Sequence, residues 1–263
     1  MVATNEKRAQ GELDEFHGRV ALVTGGAGDG IGRAIANLLA RRGAAVVIAD
    51  VHSRRLEKAV EELTDNSEKT VKGYELDVAD RGAINEVLAD IASTVGPVRV
   101  LVNSVGRTTI GDILDYPAEE FERLLSVNLT SPWYLTMGAV RHMREAGGGA
   151  IVNISSIAPP VGFAMIEPPY AAAKAGLHAI TRGFANAAGV FGIRCNTVAM
   201  GMVAETHFAR THPELMPDLQ TIPLRRHTLP SDIAEAVSFL ASDRASFITG
   251  ELLTVGGGAN FGI

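Results

Sequence analysis

Short apolar runs alternate with longer segments of helical period along most of the chain. The first three such segments are residues 20–23, 31–42 and 45–49. This alternation predicts βαβ units, in which a parallel sheet carries helices on both faces. Further strands are predicted at residues 98–102, 150–154, 193–198 and 252–255, each after an amphipathic segment of at least about ten residues.

The pattern favours one domain over two. The chain has 263 residues and contains no Ser/Gly/Pro-rich linker, internal repeat or low-complexity segment. Residues 1–17 are polar and charged, so we expect a flexible tail followed by one doubly wound α/β domain over residues 18–263. Apolar residues are scattered without period over residues 199–230, and this segment is predicted to be a substrate lid.

Composition narrows the classes of partner. The net charge of −6 and the pI near 5.7 give no basic field for nucleic acid or anionic lipid. Every apolar stretch is interrupted well before the ~20 residues that a membrane span needs. A single cysteine, Cys195, excludes an intrachain disulfide and is compatible with a reducing compartment. We therefore expect a cytoplasmic protein with a small-molecule substrate, no nucleic acid and no membrane partner.

A glycine-rich turn follows the first predicted strand. Residues 24–32 read TGGAGDGIG, and a helix is predicted directly after them. Backbone N–H groups and a helix N-terminus can approach a pyrophosphate there because glycine has no Cβ. A merely structural turn is the alternative, but its place after the first strand favours a Rossmann-fold dinucleotide site. The predicted cofactor contacts in this turn are Gly25, Asp29, Gly30 and Ile31.

Asp50 ends the second predicted strand, 25 residues after Gly25. A carboxylate there can accept hydrogen bonds from the adenosine ribose and would repel a 2′-phosphate, which predicts NAD over NADP. Two alternatives stay open. Asp50 could cap the helix predicted through residues 56–63, and Arg54 or Arg55 could reach a 2′-phosphate.

Tyr170 and Lys174 stand four residues apart at the start of the helix predicted over residues 171–188. Their side chains therefore project from one face of that helix. An ordinary tyrosine has a pKa near 10, and proton transfer at neutral pH needs a shift of about three units, or roughly 4 kcal/mol. A neighbouring ammonium and a cationic nicotinamide could supply that shift. The same spacing also occurs on solvated surface helices.

Taken together, these motifs resemble the short-chain dehydrogenase/reductase family in its single-domain form of about 250 residues, and 3-oxoacyl-(acyl-carrier-protein) reductases in particular. The matching segments appear in the family's order, at residues 24–32, 77–78, 103–106, 127–129, 154–156, 170–174 and 248–250. The resemblance implies a Rossmann-fold oxidoreductase that moves a hydride between nicotinamide and a carbonyl or secondary alcohol.

The resemblance also implies residue roles and a homotetramer. Tyr170 becomes the general acid/base, Lys174 a ribose ligand and tyrosine activator, Ser156 a donor to the substrate carbonyl, and Asn128 the holder of a relay water. Further cofactor contacts fall on Asp77, Val78, Asn103 and Val203. The glycine turn is one residue longer than the family's usual form between Gly25 and Gly30, which reshapes the pyrophosphate contacts.

Substrate class is the least determined property. The residues predicted to line the substrate pocket are mostly apolar, which favours a lipophilic or acyl-type carbonyl over a sugar or polyol. They are Pro159, Val161, Phe163, Met165, Ile166, Met200, Met202 and Phe208. A non-catalytic NAD-binding protein on the same fold is the alternative from another class, and the presence of all four catalytic residue types argues against it.

Several residues are interpreted as structural. His207, His212 and His227 lack the spacing of a metal site and are expected to be solvated. Cys195 is expected to be a small core residue. Arg226 is expected to form a structural pair.

Overall fold

A computed structural model describes residues 14–67, 69–109, 112–157 and 168–259. Their strands form one parallel sheet in the order β3-β2-β1-β4-β5-β6-β7. The chain reverses its direction of winding between β1 and β4, where doubly wound folds bind their ligands. The strands are β1 (Val20–Thr24), β2 (Ala45–Asp50), β3 (Val71–Glu75), β4 (Val98–Asn103), β5 (Gly149–Ser156), β6 (Ile193–Met200) and β7 (Leu252–Val255).

Helices cover both faces of this sheet, and the prediction of a single-domain α/β Rossmann fold is confirmed. The helices are α1 (Ile31–Arg41), α2 (Ser53–Asp65), α3 (Arg81–Thr94), α4 (Ala118–Leu125), α5 (Ser131–Glu145), α6 (Pro168–Ala188), α7 (His207–Thr211) and α8 (Pro230–Ala241). Ile35 of α1 and Val237 of α8 pack on one face, and Leu88 of α3 and Leu135 of α5 pack on the other. The two faces explain why the central strands are mostly apolar.

Strand β3 was missed by the sequence pattern. It has the sequence VKGYE, and all five residues stay partly exposed at the edge of the sheet. An edge strand tolerates polar residues because only one side of it pairs with another strand. The apolar run that marks the central strands is therefore absent here.

Two residues just before the predicted domain boundary contact the domain. Phe16 is fully buried, and its N–H donates to Arg42 O at 2.8 Å. Glu15 accepts hydrogen bonds from Arg244 and lies 3.7 Å from Arg42. Glu15 and Phe16 thus pack against the domain, whereas the prediction placed them in a flexible tail. Residues 1–13 of that tail lie outside the described residues.

The predicted lid, residues 199–230, contains the end of β6, helix α7 and short 3₁₀ turns. Val203 forms an isolated parallel bridge with Thr228, and Ala204 N donates to Thr228 O at 2.8 Å. The segment is thus tied to itself across its length, and its function as a lid stays a prediction. No helix in the described part of the chain is both long and apolar enough to cross a bilayer.

Candidate active site

The glycine turn lies at the carboxyl end of β1. Gly25 has a φ of +72°, and its N–H donates to Ala49 O at 2.7 Å. A Cβ on Gly26 would lie 2.7 Å from Ile48 Cγ2, and one on Gly32 would overlap the Gly25 carbonyl oxygen. A Cβ on Gly28, in contrast, would meet no described atom within 4 Å. The turn is therefore packed tightly on its inner side and open at Gly28.

Arg33 holds the carbonyl side of this turn. Its Nε donates to Gly26 O at 3.0 Å and its Nη2 to Ala27 O at 3.1 Å. Its Nη1 lies 2.6 Å from Glu62 Oε2, so a carboxylate of α2 orients the guanidinium. Sequence analysis missed this residue, because a charged side chain on an amphipathic helix is normally expected to face solvent. Its position directly after Gly32 was the available signal.

Asp50 also contacts the turn. Its Oδ2 accepts from Ala27 N at 3.1 Å, and its Oδ1 accepts from His52 N at 3.1 Å. Helix α2 begins at Ser53 with His52 as its N-cap residue, so the alternative that Asp50 caps this helix is wrong. The carboxylate is held between the end of β2 and the glycine turn.

Asn103, at the carboxyl end of β4, belongs to a buried polar network. Its Nδ2 donates to Asn153 Oδ1 at 2.7 Å, and Asn153 Nδ2 donates to Thr181 Oγ1 at 2.9 Å. Asn103 Oδ1 is buried and has no hydrogen-bond partner among the described residues. The next residues pack on the turn, since Ser104 N donates to Thr24 Oγ1 at 3.1 Å. Strand β4 is thereby joined to β5, α6 and the glycine turn.

Asn128 lies in a π-helical turn, Ser126–Thr130, between α4 and α5. Its Oδ1 accepts from Arg107 N at 3.2 Å, and its Nδ2 donates to Arg107 O at 2.7 Å and to Leu124 O at 3.0 Å. The side chain is fully buried and fixes the loop after β4. Single π-turns of this kind frequently occur at functional sites.

Lys174 is the most deeply buried charged group of the site. It is 2% exposed, and its Nζ donates to Ile154 O at 2.9 Å. The same Nζ lies 5.5 Å from the centroid of the Tyr170 ring. Burial lowers the pKa of Lys174 to about 8. The ammonium form therefore still predominates at neutral pH.

The loop after β4 connects Lys174 with Asn128. A Cβ on Gly106 would lie 3.6 Å from Asn128 Oδ1 and 3.9 Å from Lys174 Nζ. Ser156 ends β5 two residues beyond the carbonyl that Lys174 contacts. The structure thus brings all four predicted catalytic residues to the carboxyl ends of β4 and β5.

His178 lies one turn after Lys174 on α6 and was not singled out from the sequence. Its Nε2 forms a hydrogen bond of 2.7 Å with Ser155 Oγ. Burial lowers the pKa of His178, and the charges of Arg182 and Lys174 lower it further. Spacing of four residues from Lys174 was the signal that could have found it.

The remaining predicted cofactor residues lie after β3 and in the glycine turn. Asp77 Oδ2 accepts from Arg123 at 2.8 Å and its Oδ1 from Ala79 N at 2.9 Å, whereas Val78 is buried. Partial burial raises the pKa of Asp77, but the hydrogen bond from Arg123 and that from Ala79 outweigh it, and the net shift is downward. Asp29 is exposed, and Ile31 begins α1.

Val203 lies in the predicted lid and is buried. Its carbonyl accepts from Thr206 Oγ1 at 3.0 Å. A Cβ on Gly30 would lie 3.9 Å from Thr206 Cγ2, so the lid approaches the glycine turn at this point. Of the predicted substrate-lining residues, those at positions 159–166 lie outside the described residues.

The residues interpreted as structural have structural contacts. Cys195 is buried, and burial raises the pKa of its thiol to about 12, so it does not form a thiolate nucleophile. Arg226 forms a two-pronged ion pair with Asp232, at 2.6 and 2.8 Å. His227 Nε2 lies 2.9 Å from Pro217 O. The described residues include no cluster of three or more metal-ligating His, Cys, Asp or Glu.

Comparison with known proteins places this site in a family. A family model described as enoyl-(acyl carrier protein) reductase matches residues 26–260. The chain is 38% identical over 245 residues to the 3-oxoacyl-(acyl-carrier-protein) reductase of Vibrio cholerae, covering 92% of this chain and 98% of the relative. It is 34% identical over 247 residues to the 3α-hydroxysteroid dehydrogenase of Mediterraneibacter gnavus, covering 92% and 96%.

Solved structures agree. A short-chain type dehydrogenase/reductase from Mycobacterium ulcerans superposes with a TM-score of 0.88 at 28% identity, covering 93% of this chain and 90% of the other. Fold and site together define an α/β oxidoreductase that acts on secondary alcohol or ketone groups with a nicotinamide cofactor. The chain belongs to the short-chain dehydrogenase/reductase family.

Proposed function

We propose that Tyr170 transfers the proton in this oxidoreductase and that Lys174, Ser156 and Asn128 support it. The observation that carries the proposal is the buried Lys174 ammonium 5.5 Å from the centre of the Tyr170 ring. A positive charge at that distance in a weakly polar environment favours the tyrosinate over the neutral phenol. Tyr170 can therefore accept a proton from an alcohol or return one to a ketone near neutral pH.

The glycine turn fits a dinucleotide. Ile48 and the backbone of the turn occupy the space beside Gly26 and Gly32. The space beside Gly28 is open and lies close to the N-terminus of α1. A pyrophosphate would there meet backbone N–H groups and the positive end of a helix. When bound, the nicotinamide supplies or accepts the hydride.

Each of the other residues has a separate part in this proposal. Lys174 Nζ has two further N–H donors beyond its bond to Ile154 O, and these are available to ribose hydroxyls. Ser156 donates to the substrate oxygen, where negative charge develops during reduction. Asn128 fixes the loop after β4 through Arg107 and holds the position of a relay water beside Lys174.

We infer a preference for NAD. The Asp50 carboxylate is fixed by two backbone N–H groups, and its charge would repel a 2′-phosphate at the adenosine ribose. Arg33 is occupied by two carbonyls and Glu62 and is not available to neutralise such a phosphate. We expect NAD to bind at least about tenfold more tightly than NADP in a fluorescence titration. Repulsion of about 1.4 kcal/mol between the Asp50 carboxylate and the 2′-phosphate is enough for a tenfold difference in affinity.

Asp50→Asn should narrow that difference by improving the binding of NADP. Asp65→Asn, at the distant end of α2, is the matched control and should leave the ratio unchanged. Tighter binding of NADP to the unaltered protein would mean that Arg54 or Arg55 outweighs Asp50.

The favoured substrate is a lipophilic or acyl-type carbonyl compound. Of the residues predicted to line the pocket, Met200, Met202 and Phe208 belong to the described part of the chain, and Phe208 stacks on His212 with ring centroids 4.7 Å apart. Two relatives are named for acyl and steroid substrates, which are of this class. Faster turnover of sugars or short polyols than of hydrophobic alcohols or acetoacetyl thioesters would contradict the choice.

Tyr170→Phe tests the proton-transfer role. The variant should lose turnover by about 10²–10⁴-fold, which is the usual contribution of general acid/base catalysis. It should keep its affinity for the dinucleotide, because the lost hydroxyl acts on the substrate. Turnover is followed by nicotinamide absorbance, and Tyr74→Phe on the edge strand β3 is the control. Normal turnover by Tyr170→Phe on any substrate would refute the assignment.

A homotetramer is proposed from the family resemblance. The resemblance implies interfaces at the helices around Asn128 and Tyr170 and at β7 near Leu252. Exposed apolar side chains on these elements, such as Trp133 and Leu253, are suitable for burial between subunits. Light scattering should therefore give about four times the chain mass of 27.7 kDa. A monomeric mass would contradict the proposal.

A further inference from the structure

A polar cavity lies at the amino ends of the strands, on the side of the sheet opposite to the glycine turn. It has a volume of about 190 Å³ and is lined by three arginines, one aspartate and the glycine-rich turn before β5. Arg19 directly precedes β1, Arg99 is the second residue of β4, and Arg194 is the second residue of β6. Because these strands are parallel and close in the sheet, their starting residues converge at one edge.

Positive charge exceeds negative charge in this cavity. Asp243, the only carboxylate among its described lining residues, is paired with Arg19. Arg99 Nη1 donates to Ala146 O at 2.8 Å, and Arg194 donates to Leu240 O at 2.6 Å and to Ser242 O at 2.9 Å. These carbonyls end helices α5 and α8, each of which contributes roughly half a negative charge. About one positive charge remains unbalanced.

Two of these arginines have guanidinium N–H groups beyond those in their described hydrogen bonds, because Arg99 donates through Nη1 and Arg19 through Nη2. Arg99 Nε is buried and has no hydrogen-bond partner among the described residues. Burial lowers the pKa of Arg194, Asp243 opposes this shift, and the charge of Arg19 adds to it. The negative charge of Asp243 thus favours the charged form of Arg194, and a bound anion would act in the same direction.

We propose that this cavity, lined by Arg19, Arg99 and Arg194, is an anion site for a phosphate group. Guanidinium groups bind phosphate oxygens through paired, charge-assisted hydrogen bonds. The volume is several times the ~30 Å³ share of one water molecule, and it admits a tetrahedral oxyanion. The phosphate could be free inorganic phosphate or the end of a phosphomonoester. The site is distinct from the glycine turn and does not depend on the proposed oxidoreductase function.

The test is calorimetric titration of the full-length protein with inorganic phosphate and, separately, with glycerol 3-phosphate, at constant ionic strength set with chloride. We expect saturable binding of at least one of them, and the tighter one identifies the source of the phosphate. Arg99→Gln should weaken it at least tenfold, because it removes one charge and one paired donor. Arg41→Gln, an exposed arginine at the end of α1, is the matched control and should bind as the unaltered protein does.

Absence of saturable binding for both compounds would overturn the proposal. Equal binding by Arg99→Gln would also overturn it, since the phosphate would then lie elsewhere, for example at the glycine turn. If Arg99→Gln does not fold, as judged by circular dichroism, Arg19→Gln replaces it, because Arg19 lies outside the strand. The same tenfold loss is expected for that variant, and unchanged binding would again refute the site.

Discussion

Positive potential has different sources at the two ends of the strands, which are called the carboxyl edge and the amino edge of the sheet below. At the carboxyl edge, backbone N–H groups of the glycine turn and the N-terminus of α1 provide the positive potential. At the amino edge, helices α5 and α8 end in carbonyl groups, and arginine side chains contact them. The direction of the βαβ unit imposes this difference, because each crossover connection leaves the end of one strand and returns to the start of the next.

Main-chain N–H groups alone can therefore form an anion site only at the carboxyl edge. Because glycine has no Cβ, a ligand can approach the backbone closely at the carboxyl edge, and substitution of these glycines should change the turn or its ligand binding directly. The amino edge presents negative helix ends, so attraction of an anion there requires several arginines. Substitutions in the glycine turn and substitutions of these arginines should therefore differ in how strongly they change stability and ligand affinity.

The largest effect is expected for Gly32→Ala. The new Cβ would overlap the backbone of Gly25 in the glycine turn, so the turn or α1 must move. We expect the free energy of unfolding to fall by roughly 3–5 kcal/mol, as for severe overpacking at a special backbone site. Urea denaturation of the protein without cofactor measures this change.

Gly28→Ala is the matched control for that substitution and sharpens the comparison. Its Cβ meets no described atom within 4 Å, so the stability of the protein should stay within about 0.5 kcal/mol of its original value. The affinity for the dinucleotide should nevertheless fall, because the methyl group occupies the proposed pyrophosphate approach. Unchanged affinity in Gly28→Ala would move the pyrophosphate away from this residue.

A smaller effect is expected at the amino edge for Arg194→Met. The methionine fills similar space but leaves Leu240 O and Ser242 O at the end of α8 without their donors. Buried carbonyls that lose their partners should lower the free energy of unfolding by about 2–3 kcal/mol. Arg41→Met, on the exposed end of α1, is the control in the same urea experiment. Equal stability of the two variants would show that water satisfies the carbonyls.

The smallest effect is the pH dependence that Lys174 confers on stability. Its pKa in the folded protein is about 8, below the ordinary value of 10.5. Below pH 8 the lysine is charged in both states, and its burial destabilises the fold; this penalty disappears as the pH rises through 8 to 10.5. The stability of the original protein relative to Lys174→Met should therefore increase by about 1–3 kcal/mol between pH 7 and 10.

Urea denaturation of the cofactor-free protein at both pH values measures that difference. Lys58→Met, on the surface of α2, is the control and should give a difference nearly independent of pH in this range. A difference for Lys174→Met that does not change with pH would mean that water hydrates the ammonium in the folded protein.

The sequence predicted most of the fold because the central strands are apolar on both sides. Strand β7 was predicted with its observed bounds, and β1 within one residue. Edge strand β3 was missed because Lys72, Gly73 and Glu75 break its apolar run. The π-turn at Asn128 was not predicted, since its hydrogen bonds depend on how α4 and α5 meet and have no local sequence signal.

The site was predictable where one motif supplies several residues, and it was not where distant residues meet. The glycine turn and the Tyr170–Lys174 pair are local patterns. The contact of Arg33 with the turn depends on Glu62, and the contact between Gly106 and Lys174 depends on sheet order. Arg19, Arg99 and Arg194 each lie within two residues of the start of a strand, which was a usable signal, but only the parallel arrangement shows that they share one cavity.

The hydrogen bonds from Arg33 have a kinetic consequence for ligand association. They hold the carbonyls of Gly26 and Ala27 in place without help from a ligand, and Glu62 fixes the guanidinium that makes them. A dinucleotide that binds at the proposed site would therefore meet a turn that is already shaped and would not have to wait for a loop to order. We expect an association rate constant within the ordinary range of about 10⁵–10⁷ M⁻¹s⁻¹, proportional to cofactor concentration in stopped flow and without a slower, saturating phase.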